Sequence, residues 1–395
     1  MSIWRLSFKN LLARQAATFL TLLILVAGVT LGVLLISLSQ GLDSGFRNNI
    51  KGIDMVVGAK GSPLQLILAA VYHIDNPTGN ISKAEADSLA RNPLIAQAIP
   101  VSFGDSYKAF RIVGTIPAYL ALYEIEYAQG AIWSKAFEAV IGADVAAETG
   151  LGIGDSFYSA HGLDGLGESH GDHPYTVVGI LQRSSTVADR LVLCNLQSIW
   201  DVHGHAEEEA ETDREITAML IRFKNKMGIL TLPRLVNERT SFQAAVPAIE
   251  VNRLFDLLGL GFTILRIMAY ATTILGILSL FASLMNSLKD RAYDMALMRA
   301  MGANPRQIFA IVCAEAVILG TIGAGGGLLF GKIALWVLTQ LYGAEIGLQF
   351  TYLSLSWGEL ALALLTIVLC LIAAIYPALR TMKIDVANTL TDYAN

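Results

Sequence analysis

Four long apolar stretches constrain this chain more than any other feature. They cover about residues 16–38, 266–288, 307–331 and 360–379, and only Glu315 interrupts the third with a charge. A helix rises ~1.5 Å per residue, so ~20 apolar residues cross the ~30 Å hydrocarbon core of a bilayer. Lipid offers no partner to an unpaired backbone group, so each stretch must be helical. The sequence therefore predicts four transmembrane helices.

The composition supports a membrane environment. Hydrophobic residues make up 54% of the 395 residues and charged residues only 15%, whereas soluble domains carry about a quarter charged residues. The net charge of −5 is divided unevenly, with −9 on residues 41–259 and +4 on the remainder. A nucleic-acid-binding protein needs a concentrated basic face, and this pattern lacks one. We therefore expect membrane lipids, and no nucleic acid, as partners.

The basic residues near the ends of the stretches predict the orientation. They are Arg5, Lys9 and Arg14 before the first stretch, Lys289, Arg291, Arg299 and Arg306 between the second and third, and Arg380 and Lys383 after the fourth. Cytoplasmic loops carry the excess of lysine and arginine. We expect both termini in the cytoplasm and residues 41–259 outside it, in a multi-pass membrane protein. The first stretch is too long for a cleaved signal peptide, which favours a retained anchor.

The residues before the first stretch are amphipathic. Trp4, Phe8, Leu11 and Leu12 share one helical face. This pattern favours an interfacial helix on the inner leaflet. A basic leader that only fixes the topology is the alternative.

Residues 41–259 form a domain of about 219 residues that is long enough for its own core. Ser82 is a candidate N-cap for a helix over 83–91, with Glu85 completing a capping box. Apolar runs predict strands over 98–103, 109–115, 175–181, 190–194 and 216–223, and helices over 230–240 and 246–258. We predict an α+β extracytoplasmic domain of two lobes, with the more β-rich lobe near 138–203.

The predicted fold class is therefore an α-helical membrane protein with four transmembrane helices and a large α+β domain inserted between the first and second spans. Residues 1–40 hold the interfacial helix and first span, 41–259 the extracytoplasmic domain, and 260–395 the remaining spans.

The segment between the second and third spans, residues 289–302, has the pattern of a short amphipathic helix. At helical spacing Ala292, Ala296, Leu297 and Ala300 fall on one apolar side, and Asp290, Arg291, Asp294 and Arg299 on the other. Gly302 is placed to end this helix, and Asn304 and Pro305 to begin the next. Two interpretations remain open: a helix that docks into a soluble partner, or a solvated topological loop.

The same segment carries a family resemblance. Its motifs resemble the FtsX-type permease domain, and motifs in the middle of the chain resemble MacB-like and LolC/LolE-like extracytoplasmic domains. The FtsX-like motifs are Asp290-Arg291, Asp294, 298–303 (Met-Arg-Ala-Met-Gly-Ala), 306–308, Glu315-Ala316 and the closing 376–380 with Asp385-Val386. The motifs of the extracytoplasmic domain are 138–146, Gly154-Asp155 and 175–181. The acidic residues at 290 and 294 are Asp where the family usually has Glu, which leaves their contacts open.

This resemblance implies a permease without a fused ATPase that works as a homodimer or heterodimer with separate cytoplasmic ABC ATPase subunits. ATP and Mg²⁺ would act through that partner. The movement would reach the extracytoplasmic domain through long helices, a mechanism called mechanotransmission, and a periplasmic partner is a further candidate. By resemblance, the ATPase-coupling residues are Arg291, Asp294, Arg299, Gly302 and Arg306. Lipoproteins, peptides, amphipathic small molecules and siderophore-like compounds are candidate cargoes; an FtsX-like signalling subunit is the alternative.

A phosphate-loop spacing also occurs in the third span, over residues 326–332. Ile333 replaces the required Ser or Thr, and the run does not follow a strand. We expect no ATPase site here, and no catalytic residues in the chain. The glycines at 323, 325, 326, 327 and 331 are better explained by close helix packing.

Glu315 lies about two turns into the third span. A carboxylate inside the membrane is a candidate proton or ion site. A structural ion pair with Arg299 or Arg306, or a side chain that reaches the nearby interface, is the favoured alternative.

Five histidines in the middle domain form the remaining cluster. They are His161, His170, His173, His203 and His205, and acidic residues surround them. Imidazoles with carboxylates suit zinc, which would make the chain a metal-responsive membrane component. Solvated histidines in a polar loop are the alternative, because neither spacing is an established zinc signature.

Overall fold

The computed structural model describes residues 3–74, 76–161, 173–202, 214–346 and 354–382. The chain divides into two compact units. One comprises Met1–Leu42 and Gly259–Asn395, and we call it the membrane unit; the other is Asp43–Leu258, the inserted domain.

The helices and strands of the described residues are numbered in chain order. The helices are α1 Ile3–Leu12, α2 Gln15–Asn49, α3 Pro63–Ala70, α4 Lys83–Ala90, α5 Ala118–Leu122, α6 Ala143–Thr149, α7 Leu196–Val202, α8 Met227–Arg239, α9 Pro247–Asp290, α10 Ala292–Ala300, α11 Pro305–Ile346 and α12 Trp357–Met382. The strands are β1 Met55–Ala59, β2 Ile81–Ser82, β3 Ile95–Tyr107, β4 Phe110–Thr115, β5 Tyr127–Gly130, β6 Glu138–Ile141, β7 Ser156–Phe157, β8 Ala160–His161, β9 Tyr175–Leu181, β10 Leu191–Asn195, β11 Glu215–Ile216, β12 Ala218–Phe223 and β13 Phe242–Ala245.

Four of the helices in the described part of the chain are long and apolar enough to cross a membrane: α2, α9, α11 and α12. The predicted fold class is therefore confirmed. Three of these helices are much longer than a bilayer requires. Helix α2 has 35 residues, α9 has 44 and α11 has 42, whereas ~20 residues span the hydrocarbon core. Helices α2 and α9 each contribute residues to both compact units.

Glycines allow α11 to lie against α2. A Cβ on Gly327 would lie 2.4 Å from Cβ of Val29, and a Cβ on Gly331 would lie 2.7 Å from Val33 Cγ1. Gly323 and Gly326 likewise approach Leu25 and Val26. The packing role predicted for these glycines is confirmed at four of the five positions. Gly325 is the exception, because a Cβ there would meet no heavy atom within 4 Å.

The inserted domain is built on one mixed sheet. Its strand order is β13-β1-β12-β3-β4-β10-β6-β9-β5, with β7 beside β9 and β8 beside β3. The β10–β4 and β6–β9 pairs are parallel, and the other pairs are antiparallel. A separate two-stranded sheet joins β11 to β2.

Both faces of this sheet are covered, because successive side chains of a strand point to opposite faces. Val56 of β1 belongs to a core that runs along one face, while its neighbours Met55 and Val57 belong to a second core on the other. A third core covers that other face further along the sheet, around Ile112 and Val192. The inserted domain forms one compact unit, and the two lobes expected from the sequence stay a prediction.

Several predicted elements are confirmed with small shifts. Strand β9 has the predicted bounds, and Ser82 caps α4 by accepting a hydrogen bond from Glu85 N at 3.5 Å. The strand predicted over 98–103 extends to Ile95–Tyr107. Strands β1, β6 and β13 were missed because they are short, and β1 and β13 lack the alternation of a half-exposed strand.

Candidate coupling site in the membrane unit

The α9–α11 link folds as the sequence predicts. Gly302 has φ 99°, the left-handed conformation that glycine adopts without steric cost. Its N–H donates to Arg299 O, and Ala303 N–H donates to Met298 O, both at 3.0 Å. These are the two bonds of a Schellman motif, which ends α10. Asn304 then caps α11: its Oδ1 accepts from Arg306 N at 3.1 Å, and its N–H donates to Gln307 Oε1 at 3.0 Å.

The exposed face of α10 differs from the predicted one. Leu297 was expected on the apolar, packed side, but it is 41% exposed, and Met295 is buried instead. Tyr293, Leu297 and Met301 follow one another at a spacing of four residues and are all exposed, Met301 by 72%. Helical residues four apart lie on one face. The link therefore presents an apolar stripe, Tyr293-Leu297-Met301, which differs from the apolar side predicted from the sequence.

The predicted coupling residues lie around this stripe. Asp294, Gly302 and Arg306 are exposed, while Arg291 and Arg299 are half-buried. The stripe could have been found from the sequence by noting that Ala296, and not Leu297, continues the face of Ala292.

Glu315 joins the link to two other elements. Its Oε1 accepts from Asn10 Nδ2 of α1 at 2.7 Å and from Arg291 Nη1 at 3.1 Å. The Glu315 side chain is only 5% exposed and that of Arg291 17%. The sequence favoured Arg299 or Arg306 as the structural partner, whereas the ion pair is with Arg291. The reason is local, because the chain breaks between α9 and α10 at Arg291 and turns this side chain towards α11.

Helix α1 makes further contacts with the same region. Ser7 is fully buried and its Oγ donates to Ile311 O of α11 at 3.1 Å. Arg14, just beyond α1, pairs with Asp290 at the end of α9. The opposite side of α1 exposes Trp4, Phe8 and Leu12 by more than half, as expected of an interfacial helix. One polar network therefore connects α1, α9, the link and α11.

A second buried carboxylate, Glu359 at the start of α12, connects this helix to α11 and α2. Glu359 Oε1 accepts from Lys332 Nζ of α11 and from Ser37 Oγ of α2, both at 2.6 Å. Its Oε2 accepts from Ser356 N at 2.9 Å, while Glu359 N donates to Ser356 Oγ at 3.3 Å. This is a capping box at the start of α12. Glu359 is fully buried, and no sequence motif pointed to it.

The histidine cluster falls almost wholly outside the described residues. His170, His203 and His205 lie outside them, as does the side chain of His161. His173 is the member of the cluster whose side chain the structure describes, and its ring is stacked on that of Phe137 with centroids 4.9 Å apart. Within the described ranges no group of three or more metal-ligating side chains occurs. Zinc binding by this cluster stays a prediction. The closing motif at 385–386 also lies outside the described residues.

Two family models match the chain. The FtsX-like permease C-terminal model matches residues 266–386, and the MacB-like periplasmic core domain model matches residues 18–227. Together they cover more than half of the sequence. The first lies within the membrane unit, and the second covers most of α2 and most of the inserted domain.

Curated relatives and a solved structure are also similar. Pyoverdine export ATP-binding/permease proteins PvdT of Pseudomonas syringae pv. tomato and Pseudomonas fluorescens are each 23% identical over 98% of this chain. The chain spans 58% of the length of these relatives. The extracellular domain of the noncanonic ABC-type transporter YknZ from Gram-positive bacteria aligns with TM-score 0.32 and 11% identity, covering 48% of this chain and 98% of its own. With four spans, an inserted α+β domain and both family matches, this chain belongs to the ABC-type permeases that combine an FtsX-like permease domain with a MacB-like periplasmic core domain.

Proposed function

We propose that the chain is the permease subunit of an ABC transporter in which a cytoplasmic ATPase, carried on a separate chain, moves the inserted domain. The observation that carries this proposal is the link: α10 exposes the apolar stripe Tyr293-Leu297-Met301, while Arg291 at its start is held by Glu315 of α11. An exposed apolar helix face suits docking into a groove. A helix that is fixed to the spans at its base would pass on the movement of whatever holds that face.

The long helices support the second half of the proposal. Helices α2 and α9 run without interruption from the membrane unit into the inserted domain. A packed helix transmits displacement along its length, so a shift at the link would reach the inserted domain without substrate crossing between the spans. This is mechanotransmission, as the family resemblance implies.

The assignment of partners follows from the same picture. The relatives named above are ATP-binding/permease proteins; in this proposal ATP and Mg²⁺ act through the partner ATPase. A second permease chain, identical or related, would complete a dimer. The protein would lie in the bacterial inner membrane with both termini cytoplasmic and the inserted domain on the other side.

The proposed cargo is a lipoprotein, a peptide or an amphipathic small molecule, acted on outside the cytoplasm. The relatives' names specify the export of pyoverdine, a small molecule. An FtsX-like signalling subunit that regulates an extracytoplasmic partner is the alternative, because the same link and helices would serve it.

Co-purification tests the coupling site. The full chain is solubilised in detergent and isolated from its native host, and bound ATPase subunits are identified and assayed. We expect an ABC ATPase to co-purify with the wild type and Leu297→Asp to abolish its binding, because the substitution places a charge in the centre of the stripe. Leu230→Asp is the matched control, since Leu230 is 74% exposed on α8 of the inserted domain.

Two outcomes count against the proposal. If no ATPase binds the wild type, or if Leu297→Asp and Leu230→Asp bind it equally, α10 is not the docking site.

Transport is then separated from signalling in proteoliposomes that hold the complex. ATP-dependent release of bound lipoprotein, peptide or small molecule supports transport, whereas ATP hydrolysis without release of any of them supports the signalling alternative.

A further inference from the structure

The end of α2 lies inside the inserted domain and is held there by side chains of that domain. The last four carbonyls of a helix have no partner within the helix. In α2, two of these carbonyls accept tyrosine hydroxyls from distant parts of the inserted domain. Tyr72 Oη donates to Phe46 O at 2.9 Å, and Tyr123 Oη donates to Asn49 O at 3.1 Å. Water would satisfy these carbonyls equally well if the helix end were exposed, so the tyrosines join two elements rather than merely cap one.

Asn49, the last residue of α2, adds a third connection. Its Oδ1 accepts from Val187 N at 2.8 Å, and its Nδ2 donates to Gly45 O at 2.9 Å. The residue is only 7% exposed. Val187 begins a short 3₁₀ helix directly before β10. One side chain therefore fastens the helix end to the backbone of the sheet region.

Aromatic packing brings α9 to the same place. The Phe46 ring lies 4.8 Å from the Tyr72 ring and 5.7 Å from the Phe255 ring of α9. Phe46 and Phe255 both pack against the core that runs along one whole face of the sheet. The end of α2 and the start of α9 thus share one contact region.

The tyrosines are themselves supported by buried groups. Tyr123 and Tyr119 have ring centroids 5.3 Å apart and share a hydrogen bond between their hydroxyls. Tyr119 Oη lies 3.3 Å from Nε2 of the buried His73. Burial raises the pKa of the Tyr72, Tyr119 and Tyr123 hydroxyls above the usual value, so all three remain protonated donors at neutral pH.

We propose that Tyr72, Tyr123 and Asn49 are positioning residues for transmission: they fix the end of α2 to the inserted domain, so that the two move as one body when α2 is displaced. We call these three residues the helix anchor. This inference rests on the proposed function. It adds the point at which movement of a membrane helix reaches the inserted domain. It also names the residues that keep the end of α2 from moving relative to the rest of that domain.

Hydrogen exchange on the full chain in detergent tests the contacts without any ATPase. Asn49→Ala is expected to accelerate amide exchange at Val187 by about tenfold, since that N–H loses its acceptor. The neighbouring Asn48→Ala is the matched control, because Asn48 is exposed on the same helix turn. Tyr72→Phe/Tyr123→Phe removes only two hydroxyls and is expected to accelerate exchange over residues 43–50, while Tyr158→Phe, at an exposed tyrosine, is not.

Spin-label distances then separate positioning from simple stabilisation. Labels at Arg47→Cys and Ile153→Cys, both exposed, report the end of α2 against the inserted domain in the complex with the co-purified ATPase. In the wild type we expect one narrow distance distribution before and after ATP addition. In Tyr72→Phe/Tyr123→Phe we expect unchanged ATP hydrolysis, but a distribution at least about twice as wide with ATP. Labelling of the parent chain corrects for Cys194, Cys313 and Cys370.

The helix anchor and the proposed function are tested by different outcomes. An unchanged exchange rate at Val187 in Asn49→Ala, or a double tyrosine variant as narrow as the wild type with ATP, overturns the helix anchor. A wild type that binds no ATPase overturns the proposed function instead, and the exchange measurement still reports on the contacts.

Discussion

At the scale of single residues, the membrane unit is organised by two buried carboxylates that each receive more than one donor. Glu315 receives Asn10 and Arg291, and Glu359 receives Lys332 and Ser37. A buried charge is tolerated only when it is paired and hydrogen-bonded. Removing one partner leaves the other unpaired, so these residues are strongly coupled to their neighbours.

For the first carboxylate we predict that Glu315→Ala destabilises the protein by about 3 kcal/mol, because it leaves the Arg291 guanidinium half-buried without its partner. Thermal unfolding in detergent measures the effect. Asp290→Asn is the matched control: Asp290 pairs with Arg14 but is 67% exposed, and exposed pairs contribute less than about 1 kcal/mol. Equal shifts in both variants would contradict the prediction.

His73 gives the inserted domain a predicted pH dependence. Burial, with the Arg111 guanidinium nearby, lowers its pKa from 6.5 to about 3. The folded state therefore binds this proton less readily than the unfolded state, so the contribution of His73 to stability is complete above pH 6.5 and declines as the pH falls from 6.5 towards 3. We expect a loss of about 2 kcal/mol at pH 5 relative to pH 7.

Unfolding of the full chain between pH 5 and 7 tests this prediction. His73→Gln should be less stable at pH 7 because the buried contact between His73 Nε2 and Tyr119 Oη is lost, but its stability should depend less on pH than that of the wild type. His173→Gln, at a ring that lies on the surface, is the control. A slope as steep in His73→Gln as in the wild type would show that other groups cause the dependence.

At the scale of elements, the glycines of α11 determine how closely it approaches α2. A Cβ on Gly327 would lie 2.4 Å from Cβ of Val29 and 3.2 Å from the backbone N of Thr30, so α2 and α11 would have to move apart to make room for it. Lipid does not drive apolar helices together as water does, so close backbone approach and dispersion contacts hold such helices.

We predict that Gly327→Ala lowers the unfolding temperature of the full chain, with a cost of about 1–3 kcal/mol for the overpacking. Gly325→Ala is the matched control on the same helix, since it meets no atom within 4 Å. In that variant the unfolding temperature should stay the same or rise. The two transitions, followed by thermal unfolding in detergent, must differ for the packing role to hold.

At the scale of the whole molecule, the orientation in the membrane is the property on which every functional proposal depends. Met301, on the α9–α11 link, and Leu230, on the inserted domain, are both more than 70% exposed. Cysteine at each site can be labelled with a membrane-impermeant maleimide in intact and permeabilised cells. We expect Leu230→Cys to react while the cytoplasmic membrane is intact, and Met301→Cys to react only after that membrane is opened. The reverse pattern would place the link outside the cytoplasm.

Much of the architecture could be read from the sequence because it follows from local chemistry. The spans are long apolar runs, the end of α10 needs the φ of Gly302, and β9 shows its burial in its alternation. The candidate site was predicted only partly. Asp294, Arg299 and Gly302 were located on or beside α10, but the exposed stripe was not, because the sequence does not show which side of a short helix its neighbours cover.

The sequence by itself determined the number of membrane helices, the position of the inserted domain between the first and second spans, and the break at 302–305. Each of these depends on hydropathy or backbone conformation within a few residues. Only the tertiary structure decided that Glu315 pairs with Arg291, that Glu359 joins three helices, and that Tyr72 and Tyr123 hold the end of α2. These contacts join residues from 24 to more than 300 positions apart, and the folding of the intervening chain alone brings them within hydrogen-bonding distance.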